Sequence, residues 1–311
     1  MTRFLFPCLA LLALGLSACN RHPPESASGS GRPTVALVVK TLNNPFFIDM
    51  QTGAEAEAKR LGINLIVQAA EREIDVERQM QIVENLIERH VDALCIAPSG
   101  SREIVPVIVK ANRAGIPVLV IDTRADEKAL AAAGGKIAAF IGSDNYDGGR
   151  IAGAFVAERL GGNGAIAILE GIPGHETGDA RLRGFREAIK ATPGIHIVAS
   201  QPANWERDQG FNVCQNILQA HPEVKALFAC SDLMALGAVE AIAAAHRTGQ
   251  ILVVGFDALP EARAAIKQGT MAGTIAQFPQ KMGELAVTNA AKALKGEPIP
   301  ASIPVPIQLV K

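Results

Sequence analysis

The fold is decided by the stretch Lys40-Thr41-Leu42-Asn43-Asn44-Pro45-Phe46-Phe47, which follows the apolar run Val35–Val39 and precedes an amphipathic helical pattern. In an open parallel sheet, such a junction of strand and helix lies where ligands bind, outside the carboxyl ends of the strands. Asn44 can cap the helix, and Pro45 suits its first turn. One of the two phenylalanine rings can join the core while the other faces a cleft. The alternative is a capped helix with two core rings.

Short β-branched runs alternate with segments of helical period along the rest of the chain, which predicts βαβ units, a parallel sheet and the α/β class. The predicted strands are Val35–Val39, Ile63–Val67, Ala93–Ile96, Val118–Ile121, Ala138–Ile141, Ala165–Leu169, Ile195–Ala199, Ala226–Ala229, Leu252–Val254 and Ala272–Ala276. The predicted helices are Pro45–Leu61, Val76–Arg89, Arg102–Ala114, one ending at Leu160, Arg181–Ala191, Asp208–Ala220, Leu233–Ala245 and Met282–Leu294.

The pattern restarts after Ala129–Gly135, which predicts two similar lobes, each a doubly wound parallel sheet. We expect the first lobe to contain residues 34–141 plus about 277–297. The second lobe then contains residues 142–276 plus about 298–311. The chain is long enough for two domains of ordinary size.

The N-terminal segment has the pattern of an export signal. Arg3 precedes the apolar run Phe4–Gly15, which is too short to span a bilayer, so residues 1–18 are predicted to be a signal peptide. The sequence Leu16-Ser17-Ala18-Cys19 resembles the bacterial lipobox, which implies cleavage before Cys19 and lipidation of its thiol. Ordinary secretion with cleavage nearby is the alternative. Residues 19–33 are rich in Ser, Gly, Pro and charge, which predicts a flexible tether.

Composition excludes several function classes. The net charge is −1 and there is no basic block, so neither a nucleic-acid surface nor a patch for anionic membranes is expected, and the partner should be neutral. Cys95, Cys214 and Cys230 fall in apolar or helical patterns, which predicts buried thiols rather than a disulfide framework. The six histidines are scattered singly, so we expect no metal site and no cofactor.

Polar residues follow most of the predicted strands, and two lobes with facing carboxyl ends would bring them to one crevice. These residues are Asn44, Pro98-Ser99, Asp122-Thr123, Glu170-Gly171, Ser231-Asp232, Asp257 and Gln277. Each acidic residue, and Ser231, can instead be a helix cap or turn residue. Arg181 can likewise be a surface charge, and Trp205 a core ring.

This set of side chains suits a neutral polyhydroxylated ligand and contains no catalytic arrangement. Asp122 and Asp257 can each accept from two neighbouring hydroxyls, and Arg181 can donate to two. Aromatic faces can meet the C–H faces of a sugar ring. For a ligand of about 10–12 heavy atoms we expect a binding free energy of about −8 to −10 kcal/mol, which corresponds to micromolar affinity or tighter.

The order of motifs and predicted elements along the chain excludes two other classes of protein. Gly161-Gly162-Asn163-Gly164 precedes its strand, so it cannot present helix amides to a pyrophosphate, and there is no P-loop and no Gly-x-Ser-x-Gly elbow. The chain is therefore predicted not to be an enzyme. A repressor would need a helix-turn-helix before the first strand, where this chain has a signal and a tether.

The chain resembles the ribose- and allose-type periplasmic sugar-binding proteins from about Thr34 to Lys311. The motifs that carry the resemblance are Thr41–Phe47, Ser143-Asp144-Asn145, Arg181–Phe185, Ala199–Ala203, Asp232–Ala238, Val253–Asp257 and Thr274–Gln277. The resemblance implies a type I periplasmic binding protein, in which two lobes joined by a hinge of crossover strands close over the ligand.

The resemblance also implies the ligand-binding residues. Rings at Phe46, Phe47 and Trp205 would sandwich the sugar, and polar groups would hold it. The complete predicted ligand-binding set is Lys40, Asn44, Phe46, Phe47, Asp122, Thr123, Arg181, Trp205, Ser231, Asp257 and Gln277.

Departures from the ribose-type pattern bear on ligand identity. This chain has Ala97, Thr123, Ser231 and Trp205 where those proteins usually have Asn, Arg, Asn and Phe. Lys40, Ala97-Pro98 and Trp205 are more similar to allose-type members, whereas Phe47 and Thr123 match them less cleanly. Because hydroxyl-pairing sites discriminate strongly between sugars, we expect a hexose, a pentose or a sugar alcohol other than ribose.

The implied function is capture of a neutral monosaccharide and its delivery to an ABC transporter permease with its ATPase. The implied protein is monomeric and sits in the periplasm or on the outer face of the cell membrane, held there only by a lipid anchor at Cys19. The alternative is a sensor protein that presents a sugar or sugar alcohol to a chemoreceptor or sensor kinase.

Overall fold

Two six-stranded sheets organise the chain in the structure, a computed structural model that describes residues 31–311. In chain order the elements are β1 (Thr34–Thr41), α1 (Pro45–Leu61), β2 (Asn64–Ala70), α2 (Val76–Glu88), β3 (Ala93–Ile96), α3 (Val105–Arg113), β4 (Val118–Ile121), α4 (Glu127–Ala132), β5 (Ala139–Gly142), α5 (Asn145–Arg159), β6 (Asn163–Glu170), α6 (Glu176–Lys190), β7 (Gly194–Pro202), α7 (Arg207–Ala220), β8 (Val224–Ala229), α8 (Asp232–Ala244), β9 (Leu252–Asp257), α9 (Pro260–Lys267), β10 (Gly273–Ala276), α10 (Pro279–Leu294), β11 (Ser302–Pro304) and β12 (Gln308–Val310). The predicted signal peptide, Cys19 and most of the predicted tether lie outside the described residues.

Each sheet forms the centre of one lobe. The first has the order β11-β5-β4-β3-β1-β2 with every neighbouring pair parallel, and the second has the order β12-β10-β9-β8-β6-β7, in which only β12 is antiparallel. Helices cover both faces of each sheet, so the central strands β3, β4 and β5 are buried along their whole length. The predicted α/β class with two parallel-sheet lobes is confirmed.

The chain crosses between the sheets three times. The crossings join β5 to α5, β10 to α10 and β11 to β12. One predicted assignment is wrong, because residues 298–311 do not all belong to the second lobe. Strand β11 pairs with β5 in the first sheet, and only β12 pairs with β10 in the second. A three-residue strand has too little hydrophobic pattern to indicate which sheet edge it extends.

Three helix pairs pack at reciprocal glycines, and one of them positions a residue of the site. A Cβ at Gly149 of α5 would overlap the carbonyl oxygen of Arg181 on α6, and one at Gly184 of α6 would overlap that of Tyr146 on α5. The pairs α1 with α10 (Gly53, Gly283) and α7 with α8 (Gly210, Gly237) show the same reciprocity. These glycines let the helix backbones approach directly, so the backbone of Arg181 is held against α5.

Several short elements differ from the prediction. Helices α4 and α9 and strands β11 and β12 were not predicted, and β2 continues to Ala70 instead of ending at Val67. Helix α6 begins at Glu176, five residues before the predicted start at Arg181. Within residues 31–311, none of the helices combines the length and hydropathy needed to cross a membrane.

Candidate functional site

Side chains from both lobes line one narrow space, which we call the interlobe cavity. Its lining residues are Lys40, Asn44, Phe46, Phe47, Glu73 and Asp122 from the first lobe, Thr177, Arg181, Trp205, Ser231 and Asp257 from the second, and Gln277 at the second crossing. Its volume is about 30 Å³, so side chains that line it must rearrange to admit a ligand larger than one or two water molecules.

The start of α1 forms one wall of the interlobe cavity. Asn44 adopts an extended conformation and its Oδ1 accepts a hydrogen bond from the amide of Phe46 at 3.0 Å, with Pro45 in the first turn, as predicted. Phe46 and Phe47 are both buried, and their rings pack edge to face with centroids 5.2 Å apart. Both residues line the cavity and both also pack in the hydrophobic core, so they do not divide between core and cleft.

A buried ion pair lies on the first-lobe side of the interlobe cavity. Lys40 Nζ lies 3.0 Å from Asp122 Oδ2, and each of the two side chains is only 4% exposed. Burial alone would raise the pKa of Asp122, but the nearby charges of Lys40 and Arg181 outweigh it and lower that pKa. Asp122 therefore stays ionised and can accept from ligand hydroxyls. Its φ of 61° is unusual for a residue with a side chain.

Arg181 is the central donor of the second lobe and is 3% exposed. Its Nε donates to Asn145 Oδ1 at 2.9 Å, and its Nη1 donates to the carbonyl of Cys230 at 2.6 Å. The guanidinium carbon lies 3.7 Å from the centre of the Phe256 ring, so the planar guanidinium group is held against that ring. Neither fixed hydrogen bond uses Nη2, which leaves that end of the fork for a ligand.

Asp257 and Gln277 form the wall nearest the second crossing. Gln277 Nε2 donates to Asp257 Oδ1 at 2.8 Å, and Arg181 Nη1 lies 3.6 Å from the same oxygen. Burial raises the pKa of Asp257 to about 7, although Arg181 and Gln277 act to lower it. Gln277 Oε1 is buried and finds no hydrogen-bond partner among the described residues, so it is an unused acceptor on the cavity wall.

Trp205 closes the opposite side of the interlobe cavity. Its backbone has φ of 68°, and its ring fills the space above Gly171, where a Cβ would overlap the indole. Trp205 is 4% exposed, and its Nε1–H is buried without an acceptor in the described part of the chain. An aromatic face with an unused donor is suited to a polar ligand that also has an apolar face.

Asp232 supports the site from behind. It is fully buried, its Oδ2 accepts from the amide of Leu259 at 2.7 Å, and its Oδ1 accepts from Thr274 Oγ1 at 2.7 Å. These bonds hold the segment after β9, where Asp257 and Ala258 have φ of 114° and 57°. Asp232 does not line the interlobe cavity, and its bond to the Leu259 amide fixes the backbone next to Asp257.

Within residues 31–311, four residue pairs make polar contacts from one lobe to the other. Thr123 Oγ1 lies 2.9 Å from Thr177 Oγ1, and His175 Nε2 lies 3.3 Å from the carbonyl of Pro98. The Glu176 amide donates to Ser101 Oγ at 3.2 Å. Arg72 of the first lobe donates from Nε and Nη2 to Glu206 Oε1 of the second at 3.1 and 3.0 Å. The lobes are therefore closed upon each other in this structure.

One predicted site residue lies elsewhere. Thr123 is fully buried behind the cavity, where its hydroxyl contacts Asp122 Oδ2 and Thr177, and it does not line the cavity. The prediction followed from its position directly after the fourth predicted strand, where the ribose-type pattern has Arg. A threonine is too short to extend past the Asp122 carboxylate. The other ten predicted ligand-binding residues lie on the cavity wall.

Two residues of the cavity wall were not predicted. Glu73 follows β2, and its carboxylate accepts from Asn44 Nδ2 at 2.9 Å. Thr177 lies in the first turn of α6, which begins earlier than predicted. Polar residues do follow β2 in the sequence, so the rule that found Asn44 and Asp122 would also have found Glu73.

The three cysteines of the described region are buried free thiols, as predicted. Burial raises the pKa of Cys95, Cys214 and Cys230 to about 12 in each case. They therefore remain protonated and pack as small hydrophobic residues. No group of three or more potential metal ligands occurs within residues 31–311.

A second, larger groove of about 810 Å³ meets the interlobe cavity at Asp257 and Gln277. Its remaining walls come from α1, the start of α9 and the residues around Phe278, and the buried ion pair and rings described above are absent from it. The concentration of buried polar groups and rings therefore assigns the candidate site to the smaller cavity, not to the larger groove.

Comparisons with known proteins agree with this geometry. Residues 35–298 match the periplasmic binding protein domain family. The chain is 39% identical to the ribose import binding protein of Escherichia coli over 299 residues, which cover 96% of this chain and 97% of that protein. It is 38% identical over 277 residues to the D-allose-binding periplasmic protein of E. coli, covering 88% and 89% of the two chains.

A solved structure shares the whole architecture. The periplasmic solute-binding protein of an ABC transporter from Actinobacillus succinogenes 130z, crystallised with bound D-allose, is 44% identical to this chain. It superposes with a TM-score of 0.86 over 90% of this chain and 98% of that one. These relatives are binding proteins for transport, which confirms the prediction that the chain is not an enzyme. None of them is named as a sensor, so the sensor alternative gains no support from them.

Proposed function

The chain belongs to the periplasmic binding protein domain family, and on that premise we propose that it captures a neutral monosaccharide between its two lobes and delivers it to an ABC transporter permease. The observation that carries the proposal is the convergence of rings, carboxylates and a clamped guanidinium from both lobes on the interlobe cavity. Trp205 Nε1 and Gln277 Oε1, buried there without partners among residues 31–311, supply an unused donor and acceptor.

The roles of the individual residues follow from their chemistry. Phe46, Phe47 and Trp205 cover the C–H faces of the sugar, and the ionised Asp122 accepts from its hydroxyls. Arg181 donates through the free end of its fork. Lys40, Asn44, Ser231, Asp257 and Gln277 complete the hydrogen-bonding wall. A sugar in this position contacts both lobes at once, so it stabilises the closed form by the difference between its affinities for the closed and open states.

We favour a hexose over ribose as the ligand. The side chains that replace the ribose-type pattern, Ala97, Thr123 and Ser231, are small, and neither Ala97 nor Thr123 lines the interlobe cavity. Hydrogen bonds that longer side chains would make to ribose are therefore absent at Ala97 and Thr123. D-allose is the first candidate, because the solved relative that is 44% identical was crystallised with it.

Delivery follows from closure, since the closed form is the one that a permease with its ATPase would recognise. Family membership supports a location outside the cytoplasm. We propose further that Cys19 is lipidated and that residues 19–33 tether the monomeric protein to the membrane, on the basis of Leu16-Ser17-Ala18-Cys19. Mass spectrometry of the mature protein tests this, and an unmodified mature terminus would contradict it.

Calorimetric titration of the mature protein against a panel of aldoses and polyols tests the binding function. We expect one preferred sugar with a dissociation constant of about micromolar or below and a stoichiometry near one. The matched negative panel consists of the corresponding sugar acids, which the Asp122 and Asp257 carboxylates should repel. A panel in which nothing binds, or in which an acid binds as tightly as its sugar, would contradict the proposal.

A further inference from the structure

Glu73 differs from the other two carboxylates of the interlobe cavity in its electrostatic pairing. Asp122 contacts Lys40 at 3.0 Å, and Asp257 lies 3.6 Å from Arg181. The only side chain that bonds the Glu73 carboxylate within the described range is the neutral amide of Asn44, at 2.9 Å. Glu73 is partly buried, so its carboxylate has lost part of its solvation without gaining a cation in contact, and further hydrogen-bond donors can replace that loss.

Two common structural roles do not apply to Glu73 in the described part of the chain. It is not a helix cap, because α2 begins three residues later, and it forms no ion pair among residues 31–311. Its turn is fixed by backbone contacts instead. Thr41 Oγ1 and Asn43 Nδ2 donate to the carbonyl of Glu71 at 2.7 and 2.8 Å. The Glu73 side chain is thus held in place beside Asn44 by a rigid turn.

Sheet order places Glu73 at one end of the cavity. Asp122 follows β4 and Glu73 follows β2, and the order β4-β3-β1-β2 separates the two strands by three spacings, about 14 Å. Arg72 next to it contacts Glu206, which adjoins Trp205. Glu73 and Asn44 also line an outer crevice of about 290 Å³ on this side. They therefore lie where the interlobe cavity meets this outer crevice, and they form its end wall.

From this placement we propose that Glu73 is a specificity-determining residue, which accepts a hydrogen bond from a donor outside the sugar ring and so selects hexoses over pentoses. The inference rests on the proposed function. A pyranose ring occupies the space between Phe46, Phe47 and Trp205, and its ring hydroxyls meet Asp122, Arg181 and Asp257. The exocyclic hydroxymethyl group of a hexose supplies the additional donor at the end wall.

Two sugars isolate this contact. D-ribose in its pyranose form carries the same ring hydroxyls as D-allose and lacks the hydroxymethyl group, and 6-deoxy-D-allose has a methyl group in its place. We expect the wild-type protein to bind D-allose at least about tenfold more tightly than either, because only D-allose offers the Glu73 carboxylate a second donor in place of water. Calorimetry with all three sugars measures the preference.

Variants of Glu73 then test the residue. Glu73→Ala should weaken D-allose binding about tenfold or more and leave D-ribose binding within about twofold, so that the preference disappears. Glu73→Gln keeps an acceptor for Asn44 and should give an intermediate loss, because an amide oxygen is a weaker acceptor than a carboxylate. The matched control is Glu71→Gln in the same turn, whose side chain is exposed and should change neither affinity.

The measurements distinguish a failure of the proposed Glu73 role from a failure of the proposed sugar-binding function. Equal losses for D-allose and D-ribose in Glu73→Ala would overturn the inference, since they would mean that Glu73 only orients Asn44. Wild-type affinity for 6-deoxy-D-allose equal to that for D-allose would overturn it as well. A wild-type protein that binds no sugar of the panel would overturn the proposed function and the inference together.

Discussion

The guanidinium of Arg181 lies 3.6 Å from the carboxylate of Asp257, and both groups are buried in the wall of the interlobe cavity. The pair is not closed into a short salt bridge, because Arg181 is held by Asn145 and the Cys230 carbonyl, and Asp257 by Gln277. A ligand hydroxyl between donor and acceptor can therefore bond to both. We therefore expect substitutions of this pair to have the largest effect on sugar affinity.

Arg181→Lys should reduce sugar affinity by at least about tenfold, because a lysine keeps the charge but loses the planar fork. Arg181→Ala should cost more, about 100-fold or beyond, and should also lower the free energy of unfolding by about 3 kcal/mol, since its buried partners lose their donor. Calorimetry and urea unfolding measure the two effects. Arg183→Ala, at an exposed position on the same helix, is the control. Unchanged affinity in Arg181→Ala would show that the site is misassigned.

Sugar affinity should rise about tenfold as the pH increases from about 6 to 8. Burial raises the pKa of Asp257 to about 7, so at lower pH its carboxyl is protonated in the empty site. A ligand hydroxyl that donates to Asp257 favours the ionised form, lowers its pKa and releases a proton on binding. Titrations in buffers with different ionisation enthalpies measure that proton. Asp257→Asn should flatten the profile, and a wild-type affinity that falls over this range would contradict the assignment.

The contact between Arg72 and Glu206 should prolong the bound state. The pair joins the lobes at the surface, with side chains 49% and 27% exposed, so it is worth little in free energy. We expect Arg72→Gln to increase the dissociation rate of the sugar about two- to fivefold and the effect to vanish at high salt. Stopped-flow fluorescence of Trp205 measures the rate. In the double variant with Glu206→Gln, the sugar should dissociate no faster than in either single variant. Additive increases of the dissociation rate would show that the two side chains do not act as a pair.

Gly184→Ala should destabilise the protein by about 1–3 kcal/mol, because the added methyl group overlaps the carbonyl oxygen of Tyr146 and pushes α6 away from α5. Since Arg181 lies on the displaced helix, sugar affinity should fall with stability. Thermal unfolding and calorimetry measure the two quantities. Gly31→Ala has open surroundings and is the control. Normal stability in Gly184→Ala would mean that the helix pair tolerates a wider spacing.

Much of the architecture was predictable because its signals are local. The limits of α1 at Pro45 and Leu61, and those of β4 at Val118 and Ile121, were predicted without error, since a buried strand or a capped amphipathic helix leaves a clear pattern. The placement of β11 was not predictable, because three residues carry no period. Strand β11 joins the first sheet because it pairs with the edge strand β5, and that edge exists only in the folded lobe.

The candidate site was predictable as far as side chains sit directly after strands. Asp122, Asp257 and Gln277 do so, and they reach the interlobe cavity. Thr123 follows the same strand as Asp122 but faces the other lobe, because a one-residue step changes the direction of a side chain. Thr177 reaches the cavity only because α6 begins early, which depends on tertiary contacts such as that between Glu176 and Ser101.

The most direct test of the account is a crystal structure of the protein grown with its preferred sugar. We expect the intact sugar between the rings of Phe46, Phe47 and Trp205, bonded to Asp122 on one lobe and to Arg181 on the other. A sugar that is seated in the groove beside Phe278, that contacts one lobe alone, or that is chemically altered would contradict the central claim.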